Sequence, residues 1–315
     1  MSRNWLRRAV LVAASAASLL LAACGSGTIE SQLTPARMIV FGDAFADLGQ
    51  TGTRYTVNDG GVDNWTERVA GNFGLPIAAV AKGGTSYATA HARVLTRPDD
   101  VGNSITPTVK EQIDTFLAGA AISPNDLFIV NAGTSDIIAE GARVAAGGQT
   151  AEQAVLNTRQ AGRDLAAQVR RLVTAGASHV AVVGPYNLGR SPWAKASGMV
   201  TTLESESGRF NDDMLVAMVD LGDKVLYVDA ALQYNLMIAT PAAYGMTNSA
   251  DAVCTSVDPG PGIGIGAGQI NSGLCTPSTV RGDYKTYLFA DQVYPTPKSQ
   301  VAFGQYAYDR IRARW

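Results

Sequence analysis

Short apolar segments alternate with amphipathic segments along most of the chain. The apolar segments have the length and composition of buried strands and cover Met38–Phe41, Ile77–Ala81, Leu127–Asn131, His179–Gly184 and Val225–Asp229. Between them, apolar residues recur at helical spacing in three segments: one opened by Pro107 in its first turn, one ended by Gly176 and one ended by Gly222. This alternation predicts a three-layer α/β/α sandwich around a parallel sheet of about five strands.

The length and composition fit one domain rather than several. A chain of 315 residues with 46% hydrophobic residues can bury one sizeable core, which we place at residues 37–315. The formal net charge is −2, and no basic run occurs beyond the N-terminus, so we expect no nucleic-acid partner. Nothing in the sequence specifies an oligomeric state.

The N-terminus has the pattern of a processing signal. Arginines at positions 3, 7 and 8 precede an apolar run from Ala9 to Ala23 that is too short to span a membrane comfortably. The run ends at Leu21-Ala22-Ala23-Cys24-Gly25, which resembles a bacterial lipobox. We therefore expect a signal peptide over 1–23, a lipid anchor at Cys24 that makes the membrane a partner, and a polar tether over 24–36. The alternative is an ordinary secretory signal beside an incidental Cys24. Because Gly25 is not an aspartate, the outer membrane is the favoured location.

Two further cysteines, Cys254 and Cys275, flank a glycine-rich segment at 257–273. In an exported protein such a pair predicts a disulfide, which could contribute roughly 3 kcal/mol by loop-closure entropy. Two free thiols are the alternative. We expect the segment between them to be a mobile surface loop pinned at its base. Two cysteines without a nearby histidine make a poor zinc site, so we expect no metal and no cofactor.

Four polar motifs follow or precede the predicted strands in a recognisable order. They are Phe41-Gly42-Asp43-Ala44-Phe45-Ala46-Asp47, Ala79-Val80-Ala81-Lys82-Gly83-Gly84-Thr85-Ser86, Asn131-Ala132-Gly133-Thr134-Ser135-Asp136 and Phe289-Ala290-Asp291-Gln292-Val293-Tyr294-Pro295-Thr296. Their order and spacing resemble the GDSL (SGNH) family of lipases, esterases and acylhydrolases. The resemblance covers most of the chain after the tether and implies a flavodoxin-like sheet that carries a Ser-His-Asp hydrolase site.

Three of the positions that the resemblance makes catalytic do not match. Ala44 stands at the nucleophilic serine, Tyr294 at the histidine base and Ser135 at the asparagine that donates to the oxyanion, while Asp291 (the triad acid) and Gly84 (an oxyanion donor) match. Alanine cannot attack an acyl carbon. A phenol with a pKa near 10 stays protonated at neutral pH and cannot serve as the base.

Two functional hypotheses remain. In the first, the chain is a pseudoenzyme whose old cleft binds an acyl chain, an ester or a glycan, or a protein partner. In the second, it is a carboxylester hydrolase that uses another residue set involving His91 or Ser86. We expect His91 to be an exposed residue, His179 to lie at the far edge of the sheet, Asp291 to be able to bond the Tyr294 phenol, and Trp65 to begin a helix near the site, where it either packs that helix or lines the cleft.

Overall fold

The computed structural model describes residues 33–61 and 64–315. Four parallel strands form the central sheet, in the order Arg37–Gly42 (β1), Asp126–Asn131 (β2), His179–Val183 (β3) and Val225–Tyr227 (β4). Four shorter strands follow: Asn248–Ala252 (β5), Val257–Asp258 (β6), Gln269–Ile270 (β7) and Tyr287–Phe289 (β8). Strands β5 and β8 pair in parallel, and β6 and β7 form an antiparallel hairpin.

Helices cover both faces of the central sheet. Their bounds are Trp65–Asn72 (α1), Val109–Gly119 (α2), Thr134–Ala145 (α3), Ala151–Thr174 (α4), Pro192–Ser197 (α5), Val200–Met218 (α6), Ala230–Ala239 (α7) and Pro297–Arg314 (α8). Short 3₁₀ turns lie at Val80–Lys82, Leu188–Arg190, Val219–Lys224, Pro241–Tyr244, Ser272–Leu274 and Tyr284–Thr286. None of the helices within the described residues is both long and apolar enough to cross a membrane.

Strand alternation divides the core into two layers. Met38 and Val40 of β1 pack in the apolar cluster that contains Trp65 of α1 and Phe303 of α8. Ile39 and Phe41 point to the other face, toward a cluster built largely from α2, α4 and α6. The predicted three-layer α/β/α architecture is therefore confirmed.

The predicted strand at Ile77–Ala81 is wrong. Only Ala79 makes a bridge there, to Ser86, and the chain then enters the 3₁₀ turn at Val80–Lys82. Ser86, after the Gly83-Gly84 turn, makes a parallel bridge with Val40 on β1. Beside β1, where we predicted a fifth strand, the sheet therefore has the single bridge made by Ser86. The turn brings this polar segment, and not the apolar Ile77–Ala81 segment, to the edge of β1.

Three boundaries also differ from expectation. The tether predicted over 24–36 does not extend to its last residues: Leu33 is buried, and its N–H donates to the Trp315 carbonyl. Pro107 precedes helix α2 rather than opening its first turn, because Thr108 caps the helix in a capping box with Glu111. The segment 257–273, expected as a mobile surface loop, contains the β6–β7 hairpin and the fully buried Ile263.

Candidate functional site

The turn after β1 is tied to helix α3 by one buried carboxylate. Asp43 accepts hydrogen bonds from the backbone N–H groups of Phe45 (3.0 Å), Thr134 (3.0 Å) and Ser135 (3.4 Å). Burial raises the pKa of Asp43 to about 7, and the bonds from Phe45 and Ser135 oppose that rise. The preceding Gly42 lies so close to β2 that a Cβ there would sit 2.1 Å from the Asn131 carbonyl oxygen. The motif therefore packs closely against β2 and joins the end of β1 to helix α3.

Ala44 follows Asp43 and lies inside the apolar core. It is 2% exposed and belongs to the cluster that contains Phe45, Ile137 and Ile138. Ser135, in the first turn of α3, is fully buried, and its hydroxyl has no hydrogen-bond partner among residues 33–61 and 64–315. The nucleophile position is thus apolar, while the former oxyanion position keeps a hydroxyl that interacts with the Asp100 carboxylate and opposes the rise that burial causes in the pKa of Asp100.

The turn after β8 uses the triad acid for backbone contacts. The Asp291 Oδ1 accepts the N–H groups of Val293 and Tyr294, each at 2.7 Å, and Oδ2 accepts the Ser272 N–H at 3.2 Å. Burial raises the pKa of Asp291 to about 6, against these bonds. The hydrogen bond that we expected from the Tyr294 phenol to Asp291 is absent. Within the described part of the chain, the fully buried Tyr294 hydroxyl has no partner at all.

The phenol of Tyr294 is unsuited to act as a base. Burial raises its pKa well above the ordinary value of 10, and the nearby charges of Asp100 and Asp43 act in the same direction. The group therefore stays protonated across the physiological range, as a hydrogen-bond donor without proton-accepting power.

Gly84 does not lie close to the turn after β1 or to Tyr294. Its N–H donates to the Ala79 carbonyl at 3.1 Å and so closes the turn before Ser86. Since Ser86 pairs with Val40, the register places Gly84 near the level of Met38, away from the carboxyl end of β1. Ser86 itself is fully buried, with no partner for its hydroxyl in the described ranges.

His91 is the main surprise, and the expectation of an exposed residue is wrong. Its Nδ1 lies 2.5 Å from Asp100 Oδ1, and its Nε2 lies 2.5 Å from the Tyr55 hydroxyl. The side chain is 14% exposed, and the backbone adopts φ +66°, a left-handed conformation that is uncommon outside glycine. Burial lowers the pKa of His91, the Asp100, Asp99 and Asp47 carboxylates raise it, and the net shift is upward from the ordinary value of 6.5.

The His91 group lies against the degenerate triad. The ring of Tyr55 is 5.1 Å from the ring of Tyr294. Sequence reasoning singled out His91 but missed Asp100 and Tyr55, since no motif connects these three loop residues. We name the buried region formed by Asp43, Ser135, Tyr294, His91 and Asp100 the polar cleft.

The glycine-rich segment covers one side of the polar cleft. A Cβ at Gly264 would lie 2.7 Å from Ile138 Cγ2 and 2.9 Å from the Asp100 carbonyl oxygen, so only a glycine backbone fits there. Neighbouring Ile263 packs in the same apolar cluster as Ala44. The predicted disulfide between Cys254 and Cys275 is confirmed, and it joins the two ends of this segment. We refer to residues 257–273 as the lid.

Trp65 does begin a helix, α1, which Asn64 caps in a capping box with Glu67. The indole is fully buried: its N–H donates to the Phe45 carbonyl at 3.0 Å, and its ring packs 5.1 Å from Phe303. Of the two roles considered for Trp65, the structure shows packing of the helix. His179 starts β3 and packs on Trp315, at the edge opposite the polar cleft as expected.

The metal expectation and the predictions for the N-terminus are taken separately. The residues described here contain no group of three or more His, Cys, Asp or Glu that could hold a metal ion. The signal peptide, the lipidation site at Cys24 and most of the tether lie outside the described residues. They stay predictions.

Comparison with known proteins identifies the family. The family model described as GDSL-like Lipase/Acylhydrolase matches residues 38–307. The chain is 24% identical to an uncharacterized protein of Pseudomonas putida from the trpE-trpG intergenic region, over 98% of this chain and 54% of that protein. It is 28% identical to a GDSL esterase/lipase of Arabidopsis thaliana, over 46% of this chain and 41% of that protein. The chain thus spans about half the length of these two relatives.

Two further matches cover a larger share of the matched protein. A phosphatidylcholine-sterol acyltransferase of Aeromonas hydrophila is 24% identical, over 71% of this chain and 67% of that protein. A solved structure of a lipolytic G-D-S-L family protein from Veillonella parvula aligns over 87% of this chain and 96% of that one, with a TM-score of 0.45 and 11% identity. The family model covers well over half of the chain, and the chain therefore belongs to the GDSL-like lipase/acylhydrolase family.

Proposed function

We propose that this protein is an exported, lipid-anchored member of its family that binds a ligand in the old cleft and does not hydrolyse it by the family's triad. One observation carries the proposal: the nucleophile and base positions hold Ala44 and Tyr294, both buried in the core. Loss of nucleophile and base costs an acyl-transfer enzyme on the order of 10⁶ in turnover. Asp291 has no base to orient, because position 294 is a tyrosine whose hydroxyl makes no hydrogen bond to it, and its oxygens accept backbone N–H groups instead.

Rebuilding the triad tests this proposal. We expect the purified full chain to hydrolyse a short-chain p-nitrophenyl ester no faster than background. The double variant Ala44→Ser with Tyr294→His should turn over at least about 100-fold faster, the scale of a general base acting on a positioned nucleophile. Ala44→Ser alone is the matched control and should stay near background, since it lacks a base.

A wild-type rate well above background that is unaffected by the Ala44 and Tyr294 substitutions would contradict the proposal. The same assay then tests the second candidate, a hydrolase in which His91 is the base. The hydrogen-bonded order Asp100–His91–Tyr55 favours that candidate, because it is an acid, an imidazole and a hydroxyl in series. His91→Ala should abolish its activity and His179→Ala should not, because His179 lies at the opposite edge of the sheet.

The names of the relatives support an acyl-bearing ligand. They include an esterase/lipase and a phosphatidylcholine-sterol acyltransferase, both of which act on acyl esters. A glycan is the other ligand class that the sequence left open. Export and anchoring rest on the pattern before Cys24, and incorporation of a labelled fatty acid that Cys24→Ser abolishes would test them.

A further inference from the structure

Helix α8 ends at the edge of the central sheet where the strands begin. The carbonyl of Trp315, the residue after α8, accepts the N–H of Leu33, which lies shortly before β1. The Trp315 ring packs 5.1 Å from the ring of His179, the first residue of β3. The Trp315 indole N–H donates to the Asp223 carbonyl at 2.7 Å, two residues before β4. The polar cleft lies at the opposite edge, where the strands end.

Exposed basic side chains lie together where α8 ends. Four of them come from α8 and from the turn before β4: Arg310, Arg312, Arg314 and Lys224. A hydrogen bond of 3.1 Å from Arg314 to the Gly222 carbonyl joins the two elements. None of the four makes an ion pair with a carboxylate in residues 33–61 or 64–315. The exposed acids beside them in the sequence are Asp223 and Asp309, so this surface, which we call the basic edge, stays positive.

Two exposed apolar side chains accompany the basic edge. Val219 is 78% exposed and begins the turn that contains Lys224, while Val216 is 76% exposed and lies one helical turn earlier, on α6. The dipole of α8 favours cations in its last turn, but it accounts neither for Lys224 nor for the two valines. Cations beside exposed aliphatic side chains are the composition of a surface that binds a membrane interface.

Charge and chain length both favour an anionic lipid surface as the partner. The chain as a whole is acidic, with a formal net charge of −2, so an anionic bilayer attracts it only through a face that concentrates cations. Leu33 is nine residues after Cys24, the predicted lipid anchor, and nine residues span at most about 32 Å. The basic edge, which adjoins Leu33, is therefore within reach of the membrane that holds the anchor.

We propose that this edge of the sheet is a membrane-docking surface. The basic edge binds the phosphates of anionic phospholipids, and Val216 and Val219 enter the headgroup region. The inference rests on the anchored location in the proposed function, and it does not require that the cleft binds a ligand. Docking in this way turns the carboxyl ends of the strands away from the bilayer, so the polar cleft opens to the aqueous side.

Vesicle binding by the chain without its acyl group tests the surface. Residues 33–315 form a compact unit of their own, so the chain from residue 24 onward with Cys24→Ser is suitable. We expect it to sediment with phosphatidylcholine vesicles that contain about one-third phosphatidylglycerol, and to bind phosphatidylcholine alone at least about tenfold more weakly. Raising NaCl from about 0.1 M to about 0.5 M should weaken the first binding, because salt screens the charges.

Two double variants separate the basic edge from the net charge of the chain. Arg310→Ala with Arg312→Ala should lower the partition coefficient on the anionic vesicles at least about tenfold. Arg190→Ala with Lys195→Ala removes the same charge from exposed residues in the turn after β3 and in α5. This control should stay within about twofold of the wild type, because these residues lie toward the edge where the strands end.

The apolar part of the surface has its own variant. Val219→Ser should weaken binding about threefold to tenfold, because the side chain no longer gains from leaving water. Leu156→Ser is the control: Leu156 is 54% exposed on α4, outside the proposed surface, and its loss should change nothing.

Equal binding to the two kinds of vesicle, or equal losses in the two double variants, would overturn docking by the basic edge. A chain that ignores vesicles but forms a dimer that Val219→Ser dissociates would assign the valines to a second copy, and would also overturn it. Incorporation of labelled fatty acid at Cys24 is measured separately, so a failure of this surface is distinguishable from a failure of anchoring.

Discussion

Two buried polar regions meet at helix α3, and they differ in how completely their atoms are paired. In the first, which we call the Arg93 network, Arg93 binds Asp136 at 3.3 Å and Glu140 at 2.8 Å, and Asp136 also accepts the Val94 N–H. Glu140 accepts further bonds from Arg143, Gln149 and Asn157. The polar cleft, by contrast, leaves the Tyr294 hydroxyl unpaired within the described ranges, while Oδ2 of Asp100 and the Ser135 hydroxyl make no hydrogen bond of ordinary length although the two side chains interact.

The difference separates a structural role from a binding role. A buried polar network that is fully satisfied rigidifies a fold, and its members are costly to remove one at a time. A buried polar network in which some atoms are unpaired destabilises the fold, and an additional hydrogen-bond partner removes that cost. Substitutions in the Arg93 network should therefore affect stability, whereas substitutions of the unpaired atoms should affect binding and cost little stability.

The largest effect should come from breaking the paired region. Arg93→Ala leaves Asp136 buried without its cation and Glu140 with Arg143 alone, and we expect the free energy of unfolding to fall by about 3–5 kcal/mol. Urea denaturation followed by circular dichroism measures this change. Arg209→Ala is the control: Arg209 and Asp212 are each 61% exposed, and their loss should cost at most about 0.5 kcal/mol. Similar costs for the two variants would mean that the Arg93 network is not structural.

Glu206 sharpens the comparison, because it lies near the paired network yet has no partner in the part of the chain that the structure describes. Both of its carboxyl oxygens are unpaired and the residue is fully buried on α6. Burial raises the pKa of Glu206 to about 8, and the charge of Glu140 adds to the rise. Because the folded-state pKa is raised, the stability linked to this group is present below pH 4.5 and is lost as the pH rises through about 8.

We therefore expect Glu206→Gln to stabilise the protein in a pH-dependent way. The gain should be near zero at pH 4.5 and reach roughly 1–3 kcal/mol at pH 9, where the wild type must ionise a buried carboxyl. Urea denaturation at both pH values measures it, with the exposed Glu204→Gln on the same helix as control. A gain that is equal at both pH values would show that ionisation of Glu206 is not its cause.

The sequence predicted the layers of the fold because local patterns determine them. Apolar runs identified β1, β2 and β3, and helical periodicity identified α2, α4 and α6. The segment Ile77–Ala81 failed, because which segment occupies a sheet edge depends on the turn at Gly83-Gly84 and on pairing with β1. The burial of the lid was also missed, because its low complexity gave no sign that side chains such as Ile263 and Ser272 would be buried.

The site was predictable only where a motif carried it. Ala44, Ser135, Asp291 and Tyr294 came from the order of the family motifs. The partners of His91 came from separate loops that no spacing connects. Nor could a sequence show that Asp291 uses both oxygens on backbone N–H groups, since that depends on how the turn after β8 closes.

The smallest predicted effect concerns two buried tyrosines whose hydroxyl groups differ in hydrogen bonding. Tyr186 and Tyr294 are both almost fully buried, but the Tyr186 hydroxyl donates to the Val293 carbonyl at 2.7 Å and the Tyr294 hydroxyl has no partner among the described residues. Tyr186→Phe removes a made hydrogen bond and leaves a buried carbonyl short of a donor, so it should cost about 1–2 kcal/mol. Tyr294→Phe removes an unsatisfied group of nearly the same volume and should be neutral or stabilising by up to about 1 kcal/mol.

Urea denaturation of the ligand-free chain measures both tyrosine variants under one condition. A Tyr294→Phe cost equal to that of Tyr186→Phe would mean that the phenol is already paired, and the contrast between the two regions would then lose its physical basis.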